Sequence, residues 1–359
     1  MSIDFIYMSD AHVKGRTLTN NPRLAGDAYA ALHKVAHSCE DVHSIVIGGD
    51  WFDSNRPSAM DLYETSKFLS QFDTVLYVRG NHDSVVPSFL EGLDEMSSST
   101  KIRCLSPDSV HMLGDAVVTG ISWTQSKDEL LSGLASIGEL VKGYNTPVYV
   151  VLHTATRHLW GLGTWQLDMD ADIPDSLKRD NVTFLVGDIH VRDTRKMGFT
   201  VHSSGPLYPT RASEMDRECC VTHVTSGGLV DIPCDVRLYS NAGRVGAADV
   251  STVLDAVLEE STSSGYELPP YVRMEITEPD VRISDEYREK CIVDMRGADA
   301  DDTDVPDAEA PAAMSLDDAI RAETSDEMLG DMAVKLIHCD DPVAEIQRWF
   351  DFWGVLLNG

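Results

Sequence analysis

Residues 44–53 read SIVIGGDWFD, a short apolar run that ends at two glycines and a carboxylate. The run Ser44–Ile47 has the pattern of a buried strand, and Asp50 and Asp53 follow its carboxyl end. In α/β proteins, the loops at the carboxyl ends of strands converge on the functional site. We therefore expect Asp50 to lie at such a site.

The same arrangement of an apolar run followed by polar side chains recurs four more times along the chain. Strand-like runs at Ile3–Met8, Thr74–Val78, Val148–Leu152 and Thr183–Val186 precede, in that order, Asp10-Ala11-His12, Gly80-Asn81-His82-Asp83, His153 and Gly187-Asp188-Ile189-His190. A single Asp-x-His would mean little, because both residue types are common in loops. Five polar clusters at the ends of five apolar runs predict one shared site.

Carboxylate, imidazole and amide side chains in this combination are suited to two divalent ions. Two ions about 3.5–4 Å apart meet the charge demands of phosphodiester hydrolysis. We predict that Asp50 bridges them, with Asp10, His12 and His190 completing one coordination sphere and Asn81, His153 and Asp188 the other. Mixed nitrogen and oxygen ligands favour Mn²⁺, Fe or Zn²⁺ over the all-oxygen sites typical of Mg²⁺ and Ca²⁺.

Two residues beside the predicted ligand Asn81 are candidates for catalysis. His82 is expected to face the substrate, where it stabilises the phosphorane charge or protonates the leaving alkoxide. Asp83 is expected to orient the imidazole of His82.

Composition indicates a soluble globular protein of a cytoplasmic-type compartment. The chain has 359 residues, 43% of them hydrophobic and 25% charged, and no apolar run approaches the roughly 20 residues that cross a bilayer. Its start, Met1-Ser2-Ile3-Asp4, does not resemble a secretion signal. The seven cysteines are an odd number without Cys-x-x-Cys spacing, as expected of reduced thiols.

The formal net charge of −30 offers no global attraction to nucleic acid. Several acids belong to the predicted metal site, where bound cations would reverse the local field. Many others fall within Ala298–Glu309, which is typical of a solvated segment. The charge therefore neither establishes nor excludes DNA as a substrate.

The pattern along the chain divides it into four parts. Residues 1–235 alternate strand-like and helical segments, and the strand-like Val117–Ser122, Val201–Ser204 and Cys219–Thr225 show no long intervening helices. This predicts a layered α/β core with two sheets. Residues 236–297 predict a small α/β domain, with a helix at Asp249–Glu260 and a strand at Tyr271–Ile276. Residues 298–314 predict an acidic disordered linker, and residues 315–359 a helical tail.

These motifs resemble those of the calcineurin-like metallophosphoesterase superfamily. Within it, the stretch from Gly48 to Ser58 and the stretch from Ser204 to Arg211, followed by Glu214, are similar to motifs of SbcD-type DNA double-strand-break repair nucleases. The serine/threonine phosphatases of the superfamily would instead have Gly-Asp-x-x-Asp-Arg-Gly and Gly-Asn-His-Glu. Asn55-Arg56-Pro57 and Asp83 argue against that branch.

The resemblance implies a four-layer β-sandwich flanked by helices, with Mn²⁺-dependent exonuclease and endonuclease activity on DNA. It implies that residues 236–297 are a capping domain, that the nuclease core is a homodimer, and that an SbcC-type SMC-like ATPase is a partner. Compact members occur in large viruses, in which case the compartment is the host cytoplasm. The helical tail either docks its apolar stripe on that ATPase or packs on its own domain. No membrane is implied.

Candidate substrate contacts come from the same motifs and from one loop. Asn55, Arg56 and Arg211 lie in the SbcD-like stretches. His158 lies in the Gly- and Trp-containing loop after His153, where a packed loop is the alternative to substrate contact.

One position departs from the family pattern, in which the last motif is Gly-His-x-His. Asp188 stands in place of the first of those histidines. A carboxylate can ligate metal, but it favours harder ions, or it leaves the second ion weakly bound. Two other functions remain open. One is a phosphomonoesterase or cyclic-nucleotide phosphodiesterase that uses the same site on a small substrate, and the other is a catalytically weak adaptor that recruits the ATPase, with Asp188 as the cause of the weakness.

Overall fold

The computed structural model describes residues 2–14, 22–24, 26–84, 88–96, 100–156, 167–278 and 281–297. Its strands are β1 (Asp4–Met8), β2 (Ser44–Ile47), β3 (Thr74–Tyr77), β4 (Lys101–Cys104), β5 (His111–Leu113), β6 (Ala116–Ile121), β7 (Val148–His153), β8 (Val182–Gly187), β9 (Asp193–Lys196), β10 (Thr200–Ser203), β11 (Cys220–Thr225), β12 (Gly228–Pro233), β13 (Tyr239–Val245), β14 (Tyr271–Ile276) and β15 (Ile292–Gly297). Its α-helices are α1 (Asp27–Ser38), α2 (Ala59–Leu69), α3 (Phe89–Met96), α4 (Lys127–Val141), α5 (Val250–Ser263) and α6 (Asp285–Lys290).

Two six-stranded sheets form the centre of the fold. The first has the order β12-β11-β1-β2-β3-β4 and the second β5-β6-β7-β8-β10-β9. Strands β1 to β4 run parallel to one another, as do β6, β7, β8 and β10. Antiparallel strands close the edges at β11, β12, β5 and β9. Both predictions, of two sheets and of a mixed α/β class, are confirmed.

The two sheets pack face to face, and helices cover their outer faces. Residues such as Phe5 and Val46 of the first sheet share a buried cluster with Val118 and Val151 of the second. The inner parallel strands are buried on both faces, which explains why they are mostly apolar; they are β1, β2, β3, β6, β7 and β8. The outer face of the first sheet packs with buried residues of α1 and α2, and that of the second with α4. The result is the four-layer arrangement expected from the resemblance.

Helix α4 corrects one expectation about the strand-like segments, because it lies between β6 and β7. Ser126 caps its start by accepting a hydrogen bond from the backbone of Glu129. Leu130, Leu134 and Ile137 line its buried face at helical spacing. The absence of a long helix in this part of the chain was a wrong expectation.

A third sheet follows in the chain. It is parallel throughout in the order β13-β14-β15, and its apolar residues form a cluster with α5. The predicted strand Tyr271–Ile276 coincides with β14, and the predicted helix at Asp249 begins as α5 at Val250. A buried ion pair between Arg237 and Asp27 joins this region to α1.

The linker predicted at residues 298–314 and the tail predicted at 315–359 lie outside the described residues. In the described part of the chain, no helix combines the length and apolar character needed to span a membrane. The six cysteines within the described ranges are free thiols.

Candidate metal centre

The loops that follow β1 and β2 are tied together by their backbones. Asp10 N donates to Gly49 O at 3.1 Å, and His12 N donates to Asp50 O at 2.9 Å. The backbone N–H of Asp188, after β8 in the second sheet, donates to Asp10 Oδ1 at 2.9 Å. The centre therefore lies at the carboxyl ends of strands from both sheets.

The backbone of this region is held in a conformation that few side chains adopt. Asp10, His12, Asp50 and Asp188 have φ angles of 53°, 40°, 48° and 84°, and they are the non-glycine residues of positive φ in the described ranges. Such conformations are costly for residues with a Cβ and cluster at functional sites. All four are predicted ligands.

Two glycines permit the close approach of these loops. A Cβ at Gly49, which has a φ of 96°, would overlap the imidazole of His153. A Cβ at Gly80 would overlap the carboxylate of Asp50. Any larger residue at either position would displace a predicted ligand.

Asp10, His12 and His190 form the first group. Nε2 of His12 lies 3.1 Å from Nε2 of His190, which in turn lies 3.6 Å from Asp10 Oδ1. The three ligand atoms are within 4.8 Å of one another. Two nitrogen ligands of one ion, each at about 2.1 Å, are separated by roughly 3 Å, so this spacing suits a shared cation.

The second group gathers around His153. Its Nε2 lies 3.2 Å from Asn81 Oδ1 and 3.9 Å from Asp188 Oδ1. His153 is buried, whereas the side chain of Asp188 is 32% exposed. Asp188 therefore lies toward the periphery of the centre.

Asp50 lies between the two groups. Its Oδ2 is 3.7 Å from His12 Nε2 and 3.4 Å from His153 Nε2. Its Oδ1 accepts a hydrogen bond from the backbone N–H of His82 at 2.9 Å. One oxygen fixes the carboxylate, and the other faces both groups.

The imidazole rings are oriented by groups that can only accept a hydrogen bond. Nδ1 of His153 donates to Gly48 O, and Nδ1 of His190 donates to Glu214 Oε1, both at 2.8 Å. With its proton on Nδ1, a neutral ring directs the Nε2 lone pair inward. Nitrogen lone pairs and carboxylate oxygens thus converge in a buried space, and these residues fit divalent cations.

The negative charges of the carboxylates at the centre also favour a bound cation. Burial opposes a proton on His153, but the hydrogen bond and charge of Asp50, with the charges of Asp10 and Asp188, raise its pKa to about 10. Burial likewise opposes the charge of Asp50, yet His153 and His12 lower its pKa to about 2. A metal ion would supply the positive charge that the proton otherwise provides, so the two compete.

Asp188 differs from Asp50 in its electrostatic setting. Burial raises its pKa, and the charges of Asp10 and Asp50 add to this against the opposing effect of His153. A carboxylate crowded by two others gains most from a nearby cation.

The role predicted for Asp83 needs correction. Its carboxylate accepts hydrogen bonds from Gly80 N at 2.7 Å and Trp51 N at 2.8 Å, so both oxygens brace loop backbones. The ring of His82 is oriented instead by the carbonyl of Asp53, which accepts from Nδ1 at 2.8 Å. Nε2 of His82 faces Asp50 Oδ2 at 4.0 Å, and the side chain is 36% exposed.

Sequence reasoning gave no role to Asp53 or Lys14. Nζ of Lys14 lies 2.9 Å from Asp53 Oδ1. Nδ1 of His12 is 3.3 Å from the same oxygen, near enough for charge attraction but outside hydrogen-bond geometry. In the sequence, the position of Asp53 three residues after the predicted ligand Asp50 indicates that it lies near the centre.

The candidate substrate contacts lie at the surface. Asn55 and Arg56, just beyond Asp53, are exposed, as is Arg211. Burial and the charge of Arg211 oppose a proton on the ring of His190, whose pKa is nevertheless raised by Glu214 and Asp10. His158 lies outside the described residues.

Comparison with a known family agrees with this geometry. The family model of calcineurin-like phosphoesterases matches residues 3–191, more than half of the chain and a range that contains all seven predicted ligands. The crystal structure of TT1561 of Thermus thermophilus is similar with 14% sequence identity and a TM-score of 0.45, over 65% of this chain and 100% of that one. A search of curated proteins found no match. On the family match, the chain belongs to the calcineurin-like phosphoesterase family.

Proposed function

We propose that this protein is a two-metal phosphodiesterase that cleaves DNA. The observation that carries the proposal is the position of Asp50 Oδ2, which lies within 4.0 Å of the Nε2 atoms of His12, His82 and His153. One buried carboxylate oxygen thus faces both groups of ligands and the exposed imidazole. This is the arrangement that a bridging ligand requires.

The proposed ligand assignment is supported by the distances within and between the two groups. Asp10, His12 and His190 would hold one ion, Asn81, His153 and Asp188 the other, and Asp50 both. Mn²⁺ is the proposed metal, because nitrogen and oxygen ligands are mixed. When bound, the ions stabilise charge on the phosphate and make a water acidic enough to attack at neutral pH.

His82 is the proposed catalytic residue. Its Nδ1 is committed to Asp53 O, so Nε2 is the atom available to the substrate. At the partly exposed edge of the centre, this imidazole can hold a proton for the leaving oxygen or place positive charge beside the phosphate.

DNA as the substrate is supported by the SbcD-like stretches. Asn55, Arg56 and Arg211 lie within these stretches, and all three are exposed. On this basis we propose exonuclease and endonuclease activity in repair and recombination, a homodimeric core and an SMC-like ATPase partner in the cytoplasm. Asp83 would then brace the loops that carry the ligands.

A small substrate is the second candidate. The net charge of −30 gives the chain no long-range attraction for a polyanion, which favours a phosphomonoester or a cyclic nucleotide. If DNA is the substrate, the positive charge that attracts its phosphate backbone would have to come from the metals, the few arginines at the centre and a partner.

One set of assays separates these functions. Purified protein is incubated with linear DNA, bis-p-nitrophenyl phosphate and p-nitrophenyl phosphate, each with Mn²⁺, Mg²⁺ or a chelator. We expect Mn²⁺-dependent cleavage of the first two. Hydrolysis of either nitrophenyl substrate without cleavage of DNA would support the small-substrate function. Metal binding without hydrolysis of any substrate would support an adaptor.

A further inference from the structure

Glu214 is a buried carboxylate that neither ligand group contains. It ends the short 3₁₀ turn Ala212–Glu214 and is 3% exposed. Its Oε1 accepts the hydrogen bond from Nδ1 of His190 at 2.8 Å. It therefore stands directly behind a predicted ligand.

The other oxygen of Glu214 is fully engaged with the preceding turn. Oε2 accepts from Thr210 N at 2.8 Å, from Thr210 Oγ1 at 2.9 Å and from Arg211 N at 3.2 Å. With these bonds in place, the carboxylate cannot rotate without leaving these partly buried donors unpaired. Its position is fixed before any ligand arrives.

The same segment also holds the backbone of His190. Arg217 donates from its guanidinium to the carbonyl of His190. Ring and backbone of this residue are thus held from one direction, by Glu214 and Arg217. The opposite ring nitrogen, Nε2, faces His12 and Asp10, so the bond to Nδ1 decides which nitrogen is left to bind an ion.

We propose that Glu214 is a positioning residue of the metal centre. By accepting from Nδ1, it keeps the proton on that nitrogen and leaves the Nε2 lone pair facing the ion held with Asp10 and His12. A carboxylate behind an imidazole also makes the ring a stronger ligand. This inference rests on the proposed metal-dependent function and assigns part of the affinity for metal to a residue that never touches it.

The substitution Glu214→Gln tests this with little change in shape. A glutamine has one accepting oxygen, so it can satisfy either His190 or the turn, but not both. We expect Mn²⁺ affinity to fall about 10- to 100-fold, measured by isothermal titration calorimetry on metal-free protein. A thermal melt of the same sample reports whether the fold is retained.

Asp61→Asn is the matched control, because Asp61 is a buried carboxylate that caps α2 and accepts from Tyr29 and Ser58. It should lower the melting temperature and leave Mn²⁺ affinity unchanged. A second measurement reports on the ring itself. In ¹⁵N spectra of metal-free protein at alkaline pH, His190 should carry its proton on Nδ1, and Glu214→Gln should raise the population with the proton on Nε2.

Wild-type Mn²⁺ affinity in a folded Glu214→Gln protein would overturn the inference and leave Glu214 a structural brace of the turn. If Glu214→Gln fails to fold, Glu214→Asp is tested in its place. It keeps the charge but moves the carboxylate away from the ring of His190, and its Mn²⁺ affinity is compared with that of the wild-type protein in the same way. Failure of the wild-type protein to bind any divalent ion would instead overturn the proposed function, and this inference with it.

Discussion

At the scale of single residues, the two oxygens of Asp50 have separate tasks. Oδ1 is held by the backbone N–H of His82, which fixes the rotation of the carboxylate. Oδ2 is then directed at His12 and His153. Because the side chain is only 3% exposed, its charge is poorly solvated and depends on neighbouring positive charge.

Asp50→Asn should remove metal binding and hydrolysis together. The amide preserves the shape and can still accept from His82, but it takes away the shared negative charge. Bound metal per protein, measured by atomic emission after dialysis, should fall at both sites. Asp73→Asn, at an exposed position, serves as the control. A variant that retains two metals would show that Asp50 is not the bridge.

His82→Ala should separate catalysis from binding. The imidazole is oriented by Asp53 O and belongs to the exposed edge of the centre, so its loss should leave metal occupancy near normal. Turnover should fall roughly 10²- to 10⁴-fold, the range for a lost proton donor or charge stabiliser. His43→Ala, an exposed histidine elsewhere, should have no effect. Metal loss in step with turnover would make His82 a ligand.

The residues gathered at the centre could be predicted from sequence because each lies at the carboxyl end of an apolar, strand-like run or in the loop that follows it. Because the loops at the carboxyl ends of strands converge in α/β proteins, polar side chains at that position are expected to lie close together. Asp83 and Asp53 were harder, because their roles depend on which backbone groups lie nearby. The N–H of Trp51 and the carbonyl of Asp53 become neighbours of Asp83 and His82 only after two loops have folded together.

At the scale of elements, Asp83 joins the loops after β2 and β3. Its carboxylate is half-buried, and it accepts from one backbone N–H of each loop, Trp51 and Gly80. Asp83→Ala leaves both donors unpaired, and we expect it to cost roughly 2–5 kcal/mol of unfolding free energy. Urea denaturation of metal-free protein measures this directly. An unchanged unfolding midpoint would mean that water replaces the carboxylate at no cost.

His202 on β10 joins the two sheets. Nδ1 faces Thr194 on β9 at 2.8 Å, and Nε2 faces Thr222 on β11 of the first sheet at 2.7 Å. Burial lowers its pKa to about 4, from 6.5 in an unfolded chain, against the opposing charges of Asp231 and Asp193. Between pH 4 and pH 6.5, His202 is therefore protonated in the unfolded chain and neutral in the folded protein.

His202 therefore does not reduce the free energy of unfolding above about pH 6.5. Below that pH the free energy of unfolding falls, and it continues to fall as the pH approaches 4. The full loss is about 3 kcal/mol. His202→Gln should remove this part of the pH dependence, seen by comparing urea unfolding of both proteins at pH 7.5 and pH 5. The same decline in both proteins would assign it to other groups.

The inner strands were predictable, and the edge strands were less so. Apolar runs such as β2 and β7 can be identified as strands from their sequence alone. Strand β9, with the sequence DTRK, is polar, and no residue of strand β12 is fully buried. These strands pair because β10 and β11 offer them an edge. Their identity depends on tertiary structure, which a local pattern does not contain.

At the scale of the whole molecule, every predicted ligand lies within the first of two units, since contacts divide the chain after Ala298. A protein truncated there should keep Mn²⁺-dependent cleavage of a short DNA duplex. Under the proposed function, it should lose co-purification with an SMC-like ATPase, because the predicted partner-binding tail is removed. Unfolding or inactivity of the truncated protein alone would show that residues 299–359 belong to the core.

The distance along the chain between partners in the centre bears on protein synthesis. His12 and His190 meet at 3.1 Å although 178 positions separate them in sequence. A ribosome must therefore have released β8 and the loop after it before the first ligand group can form. Until that moment the growing chain has separate carboxylates and imidazoles but no assembled centre. Under the proposed function, the chain would gain hydrolytic capacity only after this segment has emerged, and shorter chains would lack it.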